Sequence, residues 1–130
     1  MFDKYNKSVH IGCGTGKLTK ALAVNSYLTI GLDYLSPEQI KEFYYNVPHN
    51  TIFLRTPHDY IVNSIGNIDC LIISKLDVNS LRYCLNLWKP KTKEIFIEEE
   101  LKLKNIDDVC NCFGTIIKLS GFTKIIMNIY

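Results

Sequence analysis

Three glycines alternate over five residues in Ser8-Val9-His10-Ile11-Gly12-Cys13-Gly14-Thr15-Gly16-Lys17, and no other feature constrains this chain as much. Val9 and Ile11 are strand formers, while residues 17–24 read as a helix with Leu18, Ala21, Leu22 and Ala23 on its apolar side. The stretch is strand, glycine turn, helix. That is the shape of a nucleotide-binding βα turn, in which residues without side chains let a ligand lie against the backbone. A tight turn with no ligand is the alternative, and the downstream chain has to decide between them.

Spacing narrows the choice of ligand. A phosphate-binding P-loop needs a longer spacer before its Gly-Lys-Ser/Thr. Here only Cys13, Gly14 and Thr15 separate Gly12 from Gly16, and Leu18 stands where a Mg²⁺-binding hydroxyl belongs. The dinucleotide fingerprint requires a small residue where Lys17 stands.

The same alternation runs on. The first strand covers 7–12 and its helix extends to about residue 25. A second strand, 27–33, ends on Asp33. Ser36-Pro37-Glu38 then opens a helix to about residue 46, with Ser36 as cap and Pro37 in the first turn. Residues 51–54 form a third strand, 56–59 a turn and 60–65 a short helix. The fourth strand, 69–74, is apolar throughout, as a central parallel strand is. A helix over 78–88 puts Leu81, Cys84, Leu85 and Trp88 on one buried face. A fifth strand spans 94–98. A last helix starts near 105 or 106 and ends at Gly121, with Ile106, Val109, Phe113 and Ile117 on its core side. A sixth strand, 123–130, closes the chain. This predicts one α/β domain over 1–130. Its sheet is doubly wound, Rossmann-like and mostly parallel, with six strands in the order 3-2-1-4-5-6 and helices on both faces.

Size and composition limit what this domain does. The 130 residues, 47% hydrophobic, suffice for one core. No apolar run approaches the ~20 residues of a membrane span, and the first five residues lack the apolar stretch of a signal peptide. A net charge of +2 without a basic cluster does not indicate a nucleic-acid partner. The five cysteines, Cys13, Cys70, Cys84, Cys110 and Cys112, are scattered through apolar elements. Free thiols in a reducing, cytoplasmic compartment suit that pattern better than a disulfide framework. Cys110 and Cys112 suggest a metal pair, but two positions on a helix turn by about 200°, so the thiols diverge and no metal site is expected.

In such a sheet ligands bind beyond the carboxyl ends of the strands, beside the first one. That edge collects Gly12, Cys13, Gly14 and Gly16, then Asp33 and Tyr34, then residues 56–59 including Asp59, Ser74 to Asp77, and 98–100. Asp33 is the most informative, because a carboxylate there can accept hydrogen bonds from both hydroxyls of a ribose. The competing reading is an acid that merely opens a loop.

Val9-His10-Ile11-Gly12-Cys13-Gly14-Thr15-Gly16 resembles motif I of the class I S-adenosylmethionine-dependent methyltransferases. Ile30-Gly31-Leu32-Asp33, followed by Ser36-Pro37-Glu38, resembles the family's next strand. Asp69-Cys70-Leu71-Ile72-Ile73-Ser74 resembles its fourth strand, Leu87-Trp88-Lys89-Pro90 its Leu-Lys-Pro turn, and Leu119-Ser120-Gly121-Phe122 its late Gly-Phe turn. The last two also resemble the methyltransferase-like domain of the anamorsin family, whose cysteine-rich cluster region is not among these residues.

The resemblance implies S-adenosylmethionine as cofactor, held by His10, Gly12, Cys13, Gly14, Gly16, Asp33, Tyr34, Asp59 and Ser74. It also implies methyl transfer to an unknown acceptor. Asp77 and Glu98, with Glu99, are the candidate bases, and Lys75 could orient a substrate; solvated loop charges are the alternative for each. His10 stands where the family has an acid facing the ligand's ammonium. A neutral imidazole there implies binding that weakens below about pH 6. Thr56 and Pro57 replace the adenine-contacting acid, and Lys91-Thr92 the glycine pair after the proline. These departures keep open a catalytically inactive binding or scaffold domain. Finally, a sixth strand at the sheet edge, carrying Ile125, Ile126, Met127, Ile129 and Tyr130 with Lys124 and Asn128 as its polar guards, implies self-association or a protein partner there.

Overall fold

A computed structural model describes residues 4–98 and 106–127. Its elements are β1 (Tyr5–Ile11), α1 (Lys17–Ala23), β2 (Ser26–Leu32), α2 (Pro37–Tyr44), β3 (Thr51–Leu54), α3 (His58–Ile65), β4 (Ile68–Ile73), α4 (Val78–Trp88), β5 (Thr92–Glu98), α5 (Ile106–Asn111), β6 (Gly114–Leu119) and β7 (Phe122–Met127). The strands form one sheet in the order β3-β2-β1-β4-β5-β7-β6. β3, β2, β1, β4 and β5 run parallel, and β7 is antiparallel to both neighbours.

Side-chain alternation splits the core between the two faces of this sheet. Leu71 and Ile73 of β4, with Ile95 and Ile97 of β5, pack on the face covered by Val62 of α3, by Leu81, Cys84, Leu85 and Trp88 of α4, and by Val109 of α5. Cys70, Ile72 and Phe96 point the other way, against Leu22 of α1. A third cluster holds Cys13, Leu35, Phe43 and Phe53 beneath the glycine turn. Both faces of β4 are therefore buried, which is why its sequence is continuously apolar rather than alternating. The helix over 78–88 falls where its periodicity puts it, and its four predicted core residues are fully buried.

The last third of the chain corrects two expectations. The predicted helix up to Gly121 stops at Asn111, and residues 114–119 form β6, hairpinned to β7 through Ser120 and Gly121. Gly121 takes a φ of +80°, which suits glycine in a two-residue turn. A Cβ on Gly114 would lie 2.2 Å from the carbonyl oxygen of Ile126, so only glycine lets β6 approach β7 there. Ile117 is 41% exposed instead of facing the core.

The sheet thus has seven strands, not six. β7 lies between β5 and β6, so Ile125 and Ile126 belong to an internal strand and the free-edge argument for self-association does not apply to them. Asn128, Ile129 and Tyr130 lie outside the described residues. No described helix is long and apolar enough to cross a membrane.

Candidate functional site

The glycine turn joins β1 to α1 at the carboxyl edge of the sheet, where the strand order reverses between β1 and β4. All three glycines have positive φ, at +75°, +55° and +91° for Gly12, Gly14 and Gly16. They do different work. A Cβ on Gly12 would lie 2.3 Å from the main-chain oxygen of Ser74, and one on Gly16 would lie 2.6 Å from the Phe43 ring. Those two glycines are required by packing within the protein. A Cβ on Gly14 would meet only the end of the Lys75 side chain, with Nζ at 2.9 Å. Gly14 is the glycine that packing within the protein constrains least.

Four backbone amides of the turn are used internally. The amides of Gly12 and Cys13 donate to the Leu32 carbonyl at 2.8 and 3.2 Å, and that of Gly16 donates to the Cys13 carbonyl at 3.1 Å. The Gly14 amide donates to Asp33 Oδ2 at 2.9 Å. A phosphate cradle aims such donors at its ligand, so this geometry supports the exclusion of a P-loop.

Asp33 follows β2 directly. Its Oδ1 accepts from the Tyr34 amide at 2.7 Å, and Lys75 Nζ lies 3.5 Å from its Oδ2. Tyr34 is exposed, with the Arg55 guanidinium 5.4 Å from its ring centroid.

Two cavities flank this arrangement. One, about 440 Å³, is lined by His10, Cys13, Thr15, Lys17 and Glu98. The other, about 240 Å³, is lined by Asp33, Tyr34, Thr56, Pro57 and His58. Gly12, Ser74 and Lys75 belong to both. Lys75 has a left-handed backbone, φ +60°, which is uncommon for a residue with a side chain.

His10 is buried on β1. Its Nδ1 lies 2.8 Å from Thr19 Oγ1 of α1, and its Nε2 lies 3.0 Å from Ser74 Oγ. Burial, aided by the nearby Lys75 cation, pushes its pKa down to about 3, against a smaller opposing pull from Asp33. The expected titration near pH 6 is therefore corrected: the ring is neutral throughout that range. Burial likewise pushes the Cys13 thiol up to about 12, so it behaves as an apolar wall rather than a nucleophile.

The remaining predicted residues separate. Glu98 closes β5 and lines the larger cavity. Asp77 lines neither cavity; it caps α4, accepting from the Ser80 amide at 2.7 Å. That bond holds its carboxyl below the usual range, which makes it a poor base. Asp59 is exposed and accepts from the Tyr83 hydroxyl at 3.2 Å, leaving Pro57 and His58 to form the cavity wall. Glu99 lies outside the described residues.

Sequence reasoning did not foresee Thr19, the helix partner of His10, and within the range 56–59 it singled out Asp59 rather than His58. Trp88 Nε1 donates to His58 Nδ1 at 3.0 Å, and burial keeps this imidazole below its ordinary pKa despite Asp59 beside it. All five cysteines are free; Cys110 is buried and Cys112 exposed, so they diverge as their spacing requires.

No protein-family model and no curated protein sequence matches this chain. Solved structures do. The N-methyltransferase NodS from Bradyrhizobium japonicum aligns at TM-score 0.69 and 10% identity, over 94% of this chain and 84% of its own. TrmK from M. capricolum, in complex with S-adenosylhomocysteine, aligns at TM-score 0.69 and 15% identity, over 100% of this chain and 66% of its own. A precorrin-8w decarboxylase from Methanobacterium thermoautotrophicum aligns at TM-score 0.66 and 20% identity, over 95% and 77%. The architecture of this chain is the class I S-adenosylmethionine-dependent methyltransferase fold.

Proposed function

We propose that this domain binds S-adenosylmethionine across the glycine turn and transfers its methyl group to an acceptor. The observation that carries this reading is the Asp33 carboxylate, set against the Gly14 amide at the point where the strand order reverses, with a cavity on either side. A nucleoside fits that layout: ribose hydroxyls on Asp33, the base beside Tyr34, Pro57 and His58, and the amino-acid portion toward His10 and Ser74.

When bound, the cofactor supplies an activated methyl on a sulfonium, which leaves alignment and proton removal to the protein. Glu98 is the candidate base, because it lines the larger cavity, whereas Asp77 lines neither. The cytoplasm is the proposed compartment, in keeping with the five free thiols.

A second reading, a binding or scaffold domain without catalysis, is favoured by His10. A buried neutral ring bonded to Thr19 and Ser74 has no charge with which to hold an ammonium group.

Thermal unfolding with saturating S-adenosylmethionine or S-adenosylhomocysteine separates these readings from a ligand-free turn. Stabilisation by either ligand is expected; no shift with both removes nucleoside binding altogether. Methyl incorporation that is lost in Glu98→Gln with binding intact distinguishes the enzyme from the scaffold.

A further inference from the structure

One wall of the smaller cavity has a fixed hydrogen-bonding sense. An indole nitrogen can only donate, and Trp88 Nε1 donates to His58 Nδ1 at 3.0 Å. Burial holds the imidazole below its ordinary pKa, so at neutral pH it carries a single ring proton. With Nδ1 accepting, that proton sits on Nε2. The two ring nitrogens diverge and Trp88 is fully buried, so Nε2 turns away from the core, on the residue that lines the cavity. No described residue accepts a hydrogen bond from it. We propose that His58 makes this subsite read a nucleobase through an acceptor and leaves the exocyclic amine of adenine unselected, so that a 6-oxo purine is taken as readily as a 6-amino one; the proposal rests on the nucleoside reading above.

Selecting the amine requires a group that can only accept, and the acceptors near this wall are engaged. Asp33 is the acid on the cavity lining. Its oxygens take the Gly14 and Tyr34 amides, and the ribose is placed on it. Asp59 lies off the cavity, against the Tyr83 hydroxyl. The Leu54 carbonyl accepts from the Thr56 amide at 3.1 Å. The Pro57 carbonyl accepts from the Tyr60 amide at 3.2 Å and from the Thr56 hydroxyl at 3.3 Å. The hydroxyls of Thr56 and Tyr34 remain on the lining. Each rotates to donate or to accept, so neither tells an amine from a carbonyl.

His58 lacks that freedom, because the other tautomer would set its Nδ1 proton against the Trp88 N–H. It therefore offers a donor to N1 of adenine or to O6 of a 6-oxo purine, which are neighbouring positions on one edge of the ring. Exchanging one base for the other forfeits no hydrogen bond to His58.

The test is calorimetric titration of the wild type, His58→Phe and His58→Gln at neutral pH. The ligands are S-adenosylhomocysteine and its 6-oxo counterpart, S-inosylhomocysteine. Phenylalanine keeps a ring at the wall without the donor, and glutamine returns an amide N–H near the place of Nε2. Ligand-free unfolding curves check that each variant is folded. The wild type is expected to bind the two ligands within about fivefold of each other, whereas a site built to pair with the amine rejects the 6-oxo base far more strongly. His58→Phe should weaken both about fivefold, the loss of one neutral hydrogen bond, and His58→Gln should recover most of that for both. A wild-type preference for the amino compound beyond about fivefold shows that an acceptor reads the base, and overturns the proposal. So does His58→Phe binding both ligands as the wild type does, or a loss that glutamine fails to recover. Each of these leaves nucleoside binding in place. Failure of both ligands to bind the wild type overturns the nucleoside reading and this inference with it.

Discussion

His10 Nδ1 lies 2.8 Å from Thr19 Oγ1, so a strand residue and a helix residue on opposite sides of the glycine turn share one buried hydrogen bond. A neutral imidazole has one donor and one acceptor nitrogen. The two hydroxyls that flank it, on Thr19 and Ser74, can each play either role, so the ring is satisfied without a charge.

This sets a pH dependence. The native ring takes a proton only near pH 3, whereas the unfolded one titrates near 6.5. Between those values the unfolded chain binds more protons, so the His10 contribution to stability is complete above 6.5 and is lost as pH falls through that window. The slope is about 1.4 kcal/mol per pH unit for one group. Urea unfolding at pH 7 and pH 5 should show this slope in the wild type and a shallower one in His10→Gln. Ligand affinity, by contrast, should be flat from pH 8 to 5.5; a tenfold drop across that range would mean that the ring titrates in the native protein.

Asp33→Ala removes the proposed ribose anchor. A hydrogen bond to a charged group contributes about 1.5–3 kcal/mol, so affinity for either nucleoside should fall at least about tenfold. The fold should persist, since Asp33 lies after β2 and outside the sheet. Calorimetry on the folded variant decides it, and an unchanged affinity places the ribose elsewhere.

The three glycines should respond differently. Gly12→Ala drives a Cβ into the Ser74 carbonyl at a left-handed position, and should cost more than about 2 kcal/mol in denaturant unfolding. Gly14→Ala carries the same left-handed penalty but meets only the tip of Lys75, so it should cost less than Gly12→Ala while weakening ligand binding. Equal losses of stability would show that Gly14 is also a packing glycine.

Ser36 and Gln39 form a reciprocal capping box at the start of α2, at 3.2 and 2.9 Å. Ser36→Ala should lower stability by about 1 kcal/mol, read as a lower melting temperature with ligand affinity retained.

The parts of the fold that were legible are those where local chemistry and burial agree. Ser36 and Pro37 announce α2, and Leu81, Cys84, Leu85 and Trp88 announce α4, because cap and periodicity act within a few residues. The hairpin at the end was misread because Ile106, Val109, Phe113 and Ile117 happen to keep a helical spacing. The competing signal was present: Thr115, Ile116 and Ile117 are β-branched, and Ser120-Gly121 is a hairpin turn.

At the site, the glycines and Asp33 were legible because backbone freedom and a strand-terminal acid are local properties. The shared edge of Asp33, residues 56–59 and Ser74 to Asp77 was legible from the strand alternation, but the Lys75–Asp33 pair and the Trp88–His58 bond join side chains 42 and 30 positions apart. Nothing in the spacing of the charges announces that.

Trp88 is the chain's one tryptophan, and its indole donates to an imidazole that lines the smaller cavity. The chain therefore carries a built-in optical probe. Nδ1 of His58 accepts, which places the proton of the neutral ring on Nε2 and leaves that nitrogen as the donor. A guest that engages His58, or acid that protonates it, alters the partner of the excited indole and hence its emission, so occupancy of that wall can be followed by intrinsic fluorescence without any label.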